Sequence, residues 1–267
     1  MKYLSKPTLL AVMLASVFVA MPTAFANEEA AAVSPHTLTT NIGFFTDYTF
    51  RGLSLAREIG AVQGGIDYSH SSGLYLGAWA TNINKDAFYG DTVELDIYGG
   101  YVHKLADQLS LNVGFLEYFY PDSDHPVSGH GEKGGSPNTT ELHAALTYKY
   151  FTLKHSYAVT DLFGNNFRGN GSSRGSGYTE LNMNYKLPVA DLNLVMHVGR
   201  QVVQNYTHLN YTDWLVGVNK DFSMAGSTGW NIGVNYSTTN ADDDFYVDSG
   251  GWEVGNNRFV AYIKRTM

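Results

Sequence analysis

The sequence predicts an all-β protein, a transmembrane antiparallel up-and-down β-barrel of about twelve strands. Two observations lead to this prediction. Apolar and polar side chains alternate along most of the chain, and short and long connections join the alternating segments in turn. Successive side chains of a strand point to opposite faces, so a period of two indicates one face against lipid and one against water. Residues 38–51 show the pattern, with one face formed by Ile42, Phe44, Tyr48 and Phe50.

The N-terminal residues have the features of a secretory signal peptide. Lys2 and Lys6 precede an apolar stretch from Leu9 to Ala20, and Ala24-Phe25-Ala26 fits a cleavage site. The apolar stretch is shorter than the ~20 residues that a membrane-spanning helix needs. We therefore expect an exported chain with three parts: a cleaved signal peptide (1–26), a periplasmic lead-in (27–37) and an outer-membrane barrel (38–267).

Composition narrows the classes of function. The formal net charge is −8, and loss of the signal peptide removes two lysines and no acid, which leaves −10. Nucleic-acid binding requires a basic face, so we expect no nucleic-acid partner. The sequence contains no cysteine, which excludes disulfides and thiolate metal sites. We expect no cofactor and no metal.

The strands and their connections are predicted together. The connections alternate between long, such as 121–138 and 161–176, and tight, such as the single residue Tyr150. Outer-membrane barrels have short periplasmic turns and longer external loops, so we expect the long connections outside the cell. The predicted strands are 38–52, 60–71, 73–84, 92–104, 108–120, 139–149, 151–160, 177–187, 192–204, 210–222, 228–238 and 256–266.

Charged side chains on these strands should point into the lumen. A lipid-facing Arg or Lys at mid-depth costs ~2–4 kcal/mol, and an acid costs less. Glu117 and His155 break the rule, because each is in phase with apolar neighbours; either a β-bulge shifts the phase there or both residues lie near an interface. The predicted lumen-lining residues are Asp47, Arg51, Gln63, Asp67, Glu94, Asp96, Glu141, Glu180 and Lys186.

Several aromatic residues are predicted to anchor the barrel at the membrane–water interfaces. Tyrosine and tryptophan favour this level because an apolar ring is joined to a polar tip. The predicted anchors are Tyr48, Tyr68, Tyr101, Tyr185, Trp214 and Trp230.

A series of short motifs resembles the TorF family of Gram-negative porins. The resemblance is strongest over about residues 41–121 and continues in order to the C-terminus. It implies an outer-membrane barrel of porin type, with no established substrate to carry over. The motifs are Asp47-Tyr48-x-Phe50-Arg51-Gly52, Gln63-Gly64-Gly65-x-Asp67-Tyr68, Ser72-Gly73-x-Tyr75-x-Gly77-x-Trp79-x-x-Asn82, Val93-Glu94-Leu95-Asp96-x-Tyr98-Gly99-Gly100 and Tyr118-x-Tyr120-Pro121.

Arg51 has two interpretations. It could form a basic constriction paired with acids such as Asp47 and Asp67, or it could belong to a buried lumen salt-bridge network with a structural role. The second interpretation is favoured, because about twelve strands is intermediate between filled and open barrels.

Loop residues offer weaker candidates for function. The acids Asp242 to Asp244 with Asp248 could bind Ca²⁺, and His125 and His130, with His143 nearby, could hold a metal, but solvated loops are favoured in both cases. Adjacent strand residues point to opposite faces, so His155 and Ser156 cannot act as base and nucleophile.

These observations predict passive diffusion of small polar solutes through the lumen, with a weak preference for cations. The expected partners are outer-membrane lipids, small polar solutes and the barrel-assembly machinery during biogenesis; the oligomeric state is left open. One alternative is a structural or interaction barrel with a plugged lumen and functional outer loops. A third alternative is an outer-membrane enzyme that modifies lipids, although we expect that this protein is not an enzyme.

Overall fold

The strands pair in chain order, and the first strand pairs with the last, so the sheet closes. All pairs in the closed sheet are antiparallel, from Phe45 opposite Ala61 around to Phe45 opposite Tyr262. The predicted barrel of twelve strands is therefore confirmed. The strands are β1 (His36–Phe45), β2 (Ala61–His70), β3 (Leu74–Asn82), β4 (Val93–Ala106), β5 (Leu109–Phe119), β6 (Thr139–Tyr148), β7 (Phe151–Ala158), β8 (Gly177–Lys186), β9 (Leu192–Val202), β10 (Tyr211–Met224), β11 (Ser227–Thr239) and β12 (Arg258–Thr266).

The structure is a computed structural model that describes residues 34–126 and 133–267. The predicted signal peptide and His130 lie outside the described residues, and the predicted lead-in is described only from residue 34. The described ranges contain no helix that is both long enough and apolar enough to cross a membrane.

Alternation along the strands separates an apolar outer wall from a polar lumen. On β10, Trp214, Val216 and Val218 are exposed on the outside, whereas Asp213 and Asn219 are buried on the inside. A closed sheet with this arrangement pairs its backbone groups between strands and presents apolar side chains to acyl chains. The wall therefore has the character of a transmembrane barrel.

The connections have the predicted pattern of long and short lengths at opposite ends of the barrel. The short-turn end carries 71–73, 107–108, 149–150, 187–191 and 225–226, and the start of β1 and the end of β12 lie there as well. The long-loop end carries six loops, which we name L1 (46–60), L2 (83–92), L3 (120–138), L4 (159–176), L5 (203–210) and L6 (240–257).

The first strand is shorter than predicted. It ends at Phe45 instead of residue 52, because the chain leaves the wall and folds into the lumen as L1. Within L1, Thr49–Phe50 pairs with Leu53–Ser54 as a small hairpin. Its two central residues, Arg51 and Gly52, have φ of 48° and 81°, as a two-residue hairpin turn with both φ positive requires.

Tyr48 is consequently not an interface anchor. It is 1% exposed and lies inside the barrel, so this prediction was wrong. Tyr68, Tyr101, Tyr185 and Trp214 are exposed on the outer surface, and Trp230 is partly exposed.

The two exceptions to the inside–outside rule involve no bulge. Pairing of β5 with β6 runs without a register shift past Glu117, and pairing of β6 with β7 runs without one past His155. Both residues occupy outward positions in the half of the wall nearer the long loops. There Glu117 accepts a hydrogen bond from Thr140, and His155 Nδ1 lies 2.9 Å from Thr179 Oγ1. Neighbouring strands therefore supply polar partners at this level.

The separation of faces predicts the cost of a charge on the outer wall. Val216 lies in the middle of β10 and is 44% exposed, so V216R should lower the free energy of unfolding by about 2–4 kcal/mol. The matched control, M224R, places the same charge at the short-turn end of the same strand and should cost at most about 1 kcal/mol. Denaturant unfolding in lipid vesicles measures both changes. Equal costs at the two positions would contradict a lipid-facing wall.

Candidate functional site

L1 crosses the lumen near its long-loop end, and Arg51 at its tip reaches the opposite wall. The Arg51 guanidinium donates to Glu141 on β6 at 2.7 Å and to Gln201 on β9 at 2.8 Å. The guanidinium carbon of Arg51, Cζ, also lies 4.2 Å from the ring centroid of Tyr178 on β8. Arg51 is 5% exposed, so this ion pair joins the loop to the far wall in a site with little water.

Other L1 side chains fill the space between the loop and the wall. The Tyr48 hydroxyl donates to Glu94 Oε1 at 2.9 Å, and the Phe50 ring packs edge-on against Tyr118 at 5.4 Å. Gly52 approaches β10 so closely that a Cβ there would lie 2.7 Å from the Asp213 Cβ. Glycine is therefore required at the tip both for its φ and for this contact.

The base of L1 is fixed to β12 and to the neighbouring loops. Asp47 accepts from Ser54 at 2.9 Å and pairs with Arg258 at 3.4 Å. Burial raises the pKa of the Asp47 carboxyl, although the Ser54 hydrogen bond and the Arg258 charge both lower it. Arg57 pairs with Asp86 of L2 at 2.9 Å and with Asp248 of L6 at 3.0 Å. L1 is thus anchored from its two sides.

The predicted lumen-lining residues divide into three groups. Asp47 and Arg51 lie on L1 and not on a strand. Lys186 lies at the short-turn rim, where its side chain is 70% exposed and pairs with Asp191 at 3.4 Å. The others are buried on inner faces: Gln63, Asp67, Glu94, Asp96, Glu141 and Glu180.

Arg51 is brought together with Glu141, and not with the acids proposed from sequence. Asp47 pairs with Arg258, and Asp67 accepts from Tyr98 at 2.5 Å and from Asn41 at 3.3 Å. The first interpretation from sequence, in which Arg51 pairs with acids such as Asp67, therefore does not match the contacts of Arg51. The alternative interpretation, a buried salt-bridge network, matches the geometry of Arg51.

A second polar network lines the wall beneath Arg51. His197 Nε2 lies 2.8 Å from Asp213 Oδ2, and Tyr178 donates to Asp213 Oδ1 at 2.8 Å. Lys154 lies 3.4 Å from Glu180. These contacts give Glu180 on β8 and Asp213 on β10 basic or hydroxyl partners.

The wall formed by β2 and β4, across the lumen from this network, carries acids that have no basic neighbour among the described residues. Asp67 is hydrogen-bonded by neutral groups only, and Glu94 receives the Tyr48 hydroxyl. Within residues 34–126 and 133–267, neither oxygen of Asp96 has a hydrogen-bond partner. The lumen therefore has an acidic side formed by β2 and β4.

The prediction of lumen residues from sequence missed several residues of the site. Tyr178, Gln201 and Asp213 occupy inward positions that the alternation alone would have identified. Arg258 begins the last strand, in phase with the inward residues Val260 and Tyr262. No local signal connects any of these residues to L1.

The loop candidates have other roles. Asp248 contacts Arg57, and His125 Nδ1 lies 3.1 Å from the carbonyl oxygen of Gly134. The described residues contain no group of three or more acidic or histidine side chains that could hold a metal ion. His155 is exposed on the outer wall while Ser156 is buried on the inner one, so the two face opposite ways.

The buried ion pair predicts a large effect of removing one partner. R51A leaves the Glu141 carboxylate buried without its charge partner, so the free energy of unfolding should fall by about 3–5 kcal/mol. The control K186A breaks an exposed pair and should cost under about 1 kcal/mol. The double variant R51M/E141L should recover much of the loss, because no unpaired charge remains. Denaturant titration in micelles measures all three, and a loss for R51A no larger than for K186A would contradict the buried pair.

Comparisons with known proteins extend this description. The fold is similar to that of the KdgM porin (8% identity, 85% of this chain and 98% of that chain covered, TM-score 0.51). A structure titled "KdgM porin in complex with disordered oligogalacturonate" gives 8% identity, the same coverage and a TM-score of 0.52. The NanC porin gives 12% identity, coverage of 86% and 99%, and a TM-score of 0.50. At these identities the likeness shows a shared fold alone.

Sequence comparison gives a family. A search of curated proteins yields no match. A family model described as "Bacterial protein of unknown function (Gcw_chp)" matches residues 29–267, which is most of the chain, and the protein therefore belongs to the Gcw_chp family.

Proposed function

We propose that the protein is an outer-membrane channel through which small polar solutes diffuse passively, with a preference for cations. The observation that carries the proposal is the set of polar side chains on the inner face of a closed, apolar-walled barrel, which is crossed at one end by a loop that folds inward. A lumen lined by polar side chains is the feature that separates water-filled barrels from those with a packed apolar interior.

L1 supplies the constriction in this proposal. Its tip residues Arg51 and Gly52 reach the far wall, while Tyr48 and Phe50 pack towards β4 and β5. An inward loop that is held by side-chain contacts can set the size limit for solutes, and the charges beside it can bias which ions pass.

The distribution of charge favours cations. Arg51 and Arg258 are each paired with an acid, whereas Asp67, Glu94 and Asp96 form the acidic side of the lumen. The oligogalacturonate named with the KdgM porin is an acidic sugar polymer. The ligand in that structure is therefore an anion, whereas we expect cations in this lumen. We therefore propose a channel like the KdgM and NanC porins for this chain, but we do not propose that it takes up oligogalacturonate.

The location follows from the same reasoning. An apolar exterior, short turns at one end and long loops at the other end are typical of outer-membrane barrels. The predicted signal peptide and the resemblance to TorF porins support the same location. The protein would reach it through export and the barrel-assembly machinery.

Reconstitution in planar lipid bilayers tests the channel. The purified protein should give stepwise conductance, and a KCl gradient across the bilayer should give a reversal potential of the sign expected for cation selectivity. Protein that is folded and inserted yet gives no steps would exclude the channel and favour the rival reading, a barrel with a plugged lumen and functional outer loops.

The role of the L1 tip has its own test. G52V places a side chain against Asp213 and should displace the tip, which should raise the single-channel conductance. The matched control is G251V in L6, where φ is also positive (77°) and nothing lies within 4 Å of the added Cβ. It should leave conductance unchanged, so equal effects of the two variants would exclude L1 as the constriction.

A charge-matched pair completes this test. R51A should raise conductance and increase cation selectivity, because it removes a positive charge and the tip contact together. K220A removes the same charge from an outward position near the short turns and should do neither.

A further inference from the structure

We propose that the lumen contains a binding site for a primary ammonium group, formed by Glu94 and Asp96 on the inner face of β4. The inference rests on the proposed function for its source of ligand, which is an amine-bearing solute in the channel. It names the chemical group that the acidic side of the lumen is built to receive.

The first observation is a set of buried carboxylate oxygens without partners. Asp96 is 1% exposed, and neither of its oxygens has a hydrogen-bond partner among the described residues. Glu94 is 0% exposed; its Oε1 accepts from Tyr48, the Tyr120 hydroxyl also lies near the carboxylate, and its Oε2 has no hydrogen-bond partner within 3.5 Å among the described residues. An unpaired buried carboxylate is costly, so three such oxygens in one place indicate a missing donor.

The second observation is that these oxygens lie side by side. Glu94 and Asp96 are two residues apart on one strand and therefore share its inner face. Their cross-strand neighbours on β3 are Thr81 and Trp79, and Tyr118 on β5 lies opposite Asp96. The carboxylates thus form one acidic surface between two aromatic side chains.

The third observation is the aromatic enclosure. The Tyr48 ring of L1 lies 5.6 Å from the Trp79 ring, and Tyr118 and Tyr120 are both buried. The faces of aromatic rings attract cations, and the attraction increases when the cation is removed from water. Carboxylates enclosed by aromatic rings are therefore suited to an organic cation.

The choice between an ammonium group and a metal ion follows from the ligands available. Ca²⁺ takes six to eight oxygen ligands, whereas this site offers two carboxylates and rings that cannot coordinate it. An ammonium group carries three N–H donors, one for each unpartnered oxygen. The donor count and the aromatic lining both favour the ammonium group.

The test uses the full barrel in detergent micelles and isothermal titration calorimetry. Propylammonium chloride should bind saturably, whereas 1-propanol, which has the same carbon chain without the charge, should not. D96N and E94Q should each weaken propylammonium binding by at least about tenfold, because each replaces a charged acceptor. The matched control E117Q makes the same change on the outer wall and should bind as the unmodified protein does.

Folding and the rival ligand are checked in the same samples. D96N and E94Q remove unpaired charges, so both should keep the folded barrel's faster electrophoretic mobility before heating. Saturable binding of CaCl₂ that excludes propylammonium would overturn the assignment in favour of a metal site. Absence of propylammonium binding, or unchanged binding by D96N and E94Q, would overturn it outright.

The binding assay needs no conduction, so the two proposals fail separately. A barrel that gives conductance steps but does not bind propylammonium remains a channel and loses this site. A barrel that binds propylammonium through Asp96 but gives no steps keeps the site and loses the channel.

Discussion

A peptide group inside a bilayer has no water to bind, and this constraint governs the whole molecule. It requires every wall segment to find hydrogen-bond partners in neighbouring strands, which the chain achieves by pairing β1 with both β2 and β12. Closure in turn divides every strand into a lipid face and a lumen face. Polar side chains are thereby concentrated in a narrow interior, where they must find partners of their own.

The polar side chains of the interior have different kinds of partner on the two sides of the lumen. Towards β6, β8, β10 and β12, acids have Arg51, Lys154, His197 and Arg258 as partners, and the Arg51 and Arg258 pairs hold L1 in the lumen. Towards β2 and β4, neutral donors serve Asp67 and Glu94, and Asp96 is left without one among the described residues. Ion pairs therefore stabilise one side, and the acids on the other side have no basic partner among the described residues. The proposed preference for cations depends on this difference between the two sides of the lumen.

The sequence predicted the wall well and the lumen poorly, for physical reasons. Lipid imposes a period of two, so strand positions and loop lengths could be read from residue order. In residues 46–52 the same period continues after the wall has ended, and the Arg51–Gly52 turn lacks the Asn-Gly or Asp-Gly sequence that marks a tight hairpin. The partner of Arg51 was equally hidden, because Glu141 is 90 residues away in the chain and only barrel closure brings them together.

The ion pairs that attach L1 differ in their access to water. Arg57 at the base is partly exposed and binds L2 and L6, whereas Arg51 at the tip is enclosed with Glu141. Dissolved ions screen accessible charges over about 10 Å at 0.1 M and act far less on enclosed ones. Rising salt concentration should thus weaken the Arg57 contacts with L2 and L6 and leave the enclosed Asp47–Arg258 and Arg51–Glu141 pairs of L1 in place.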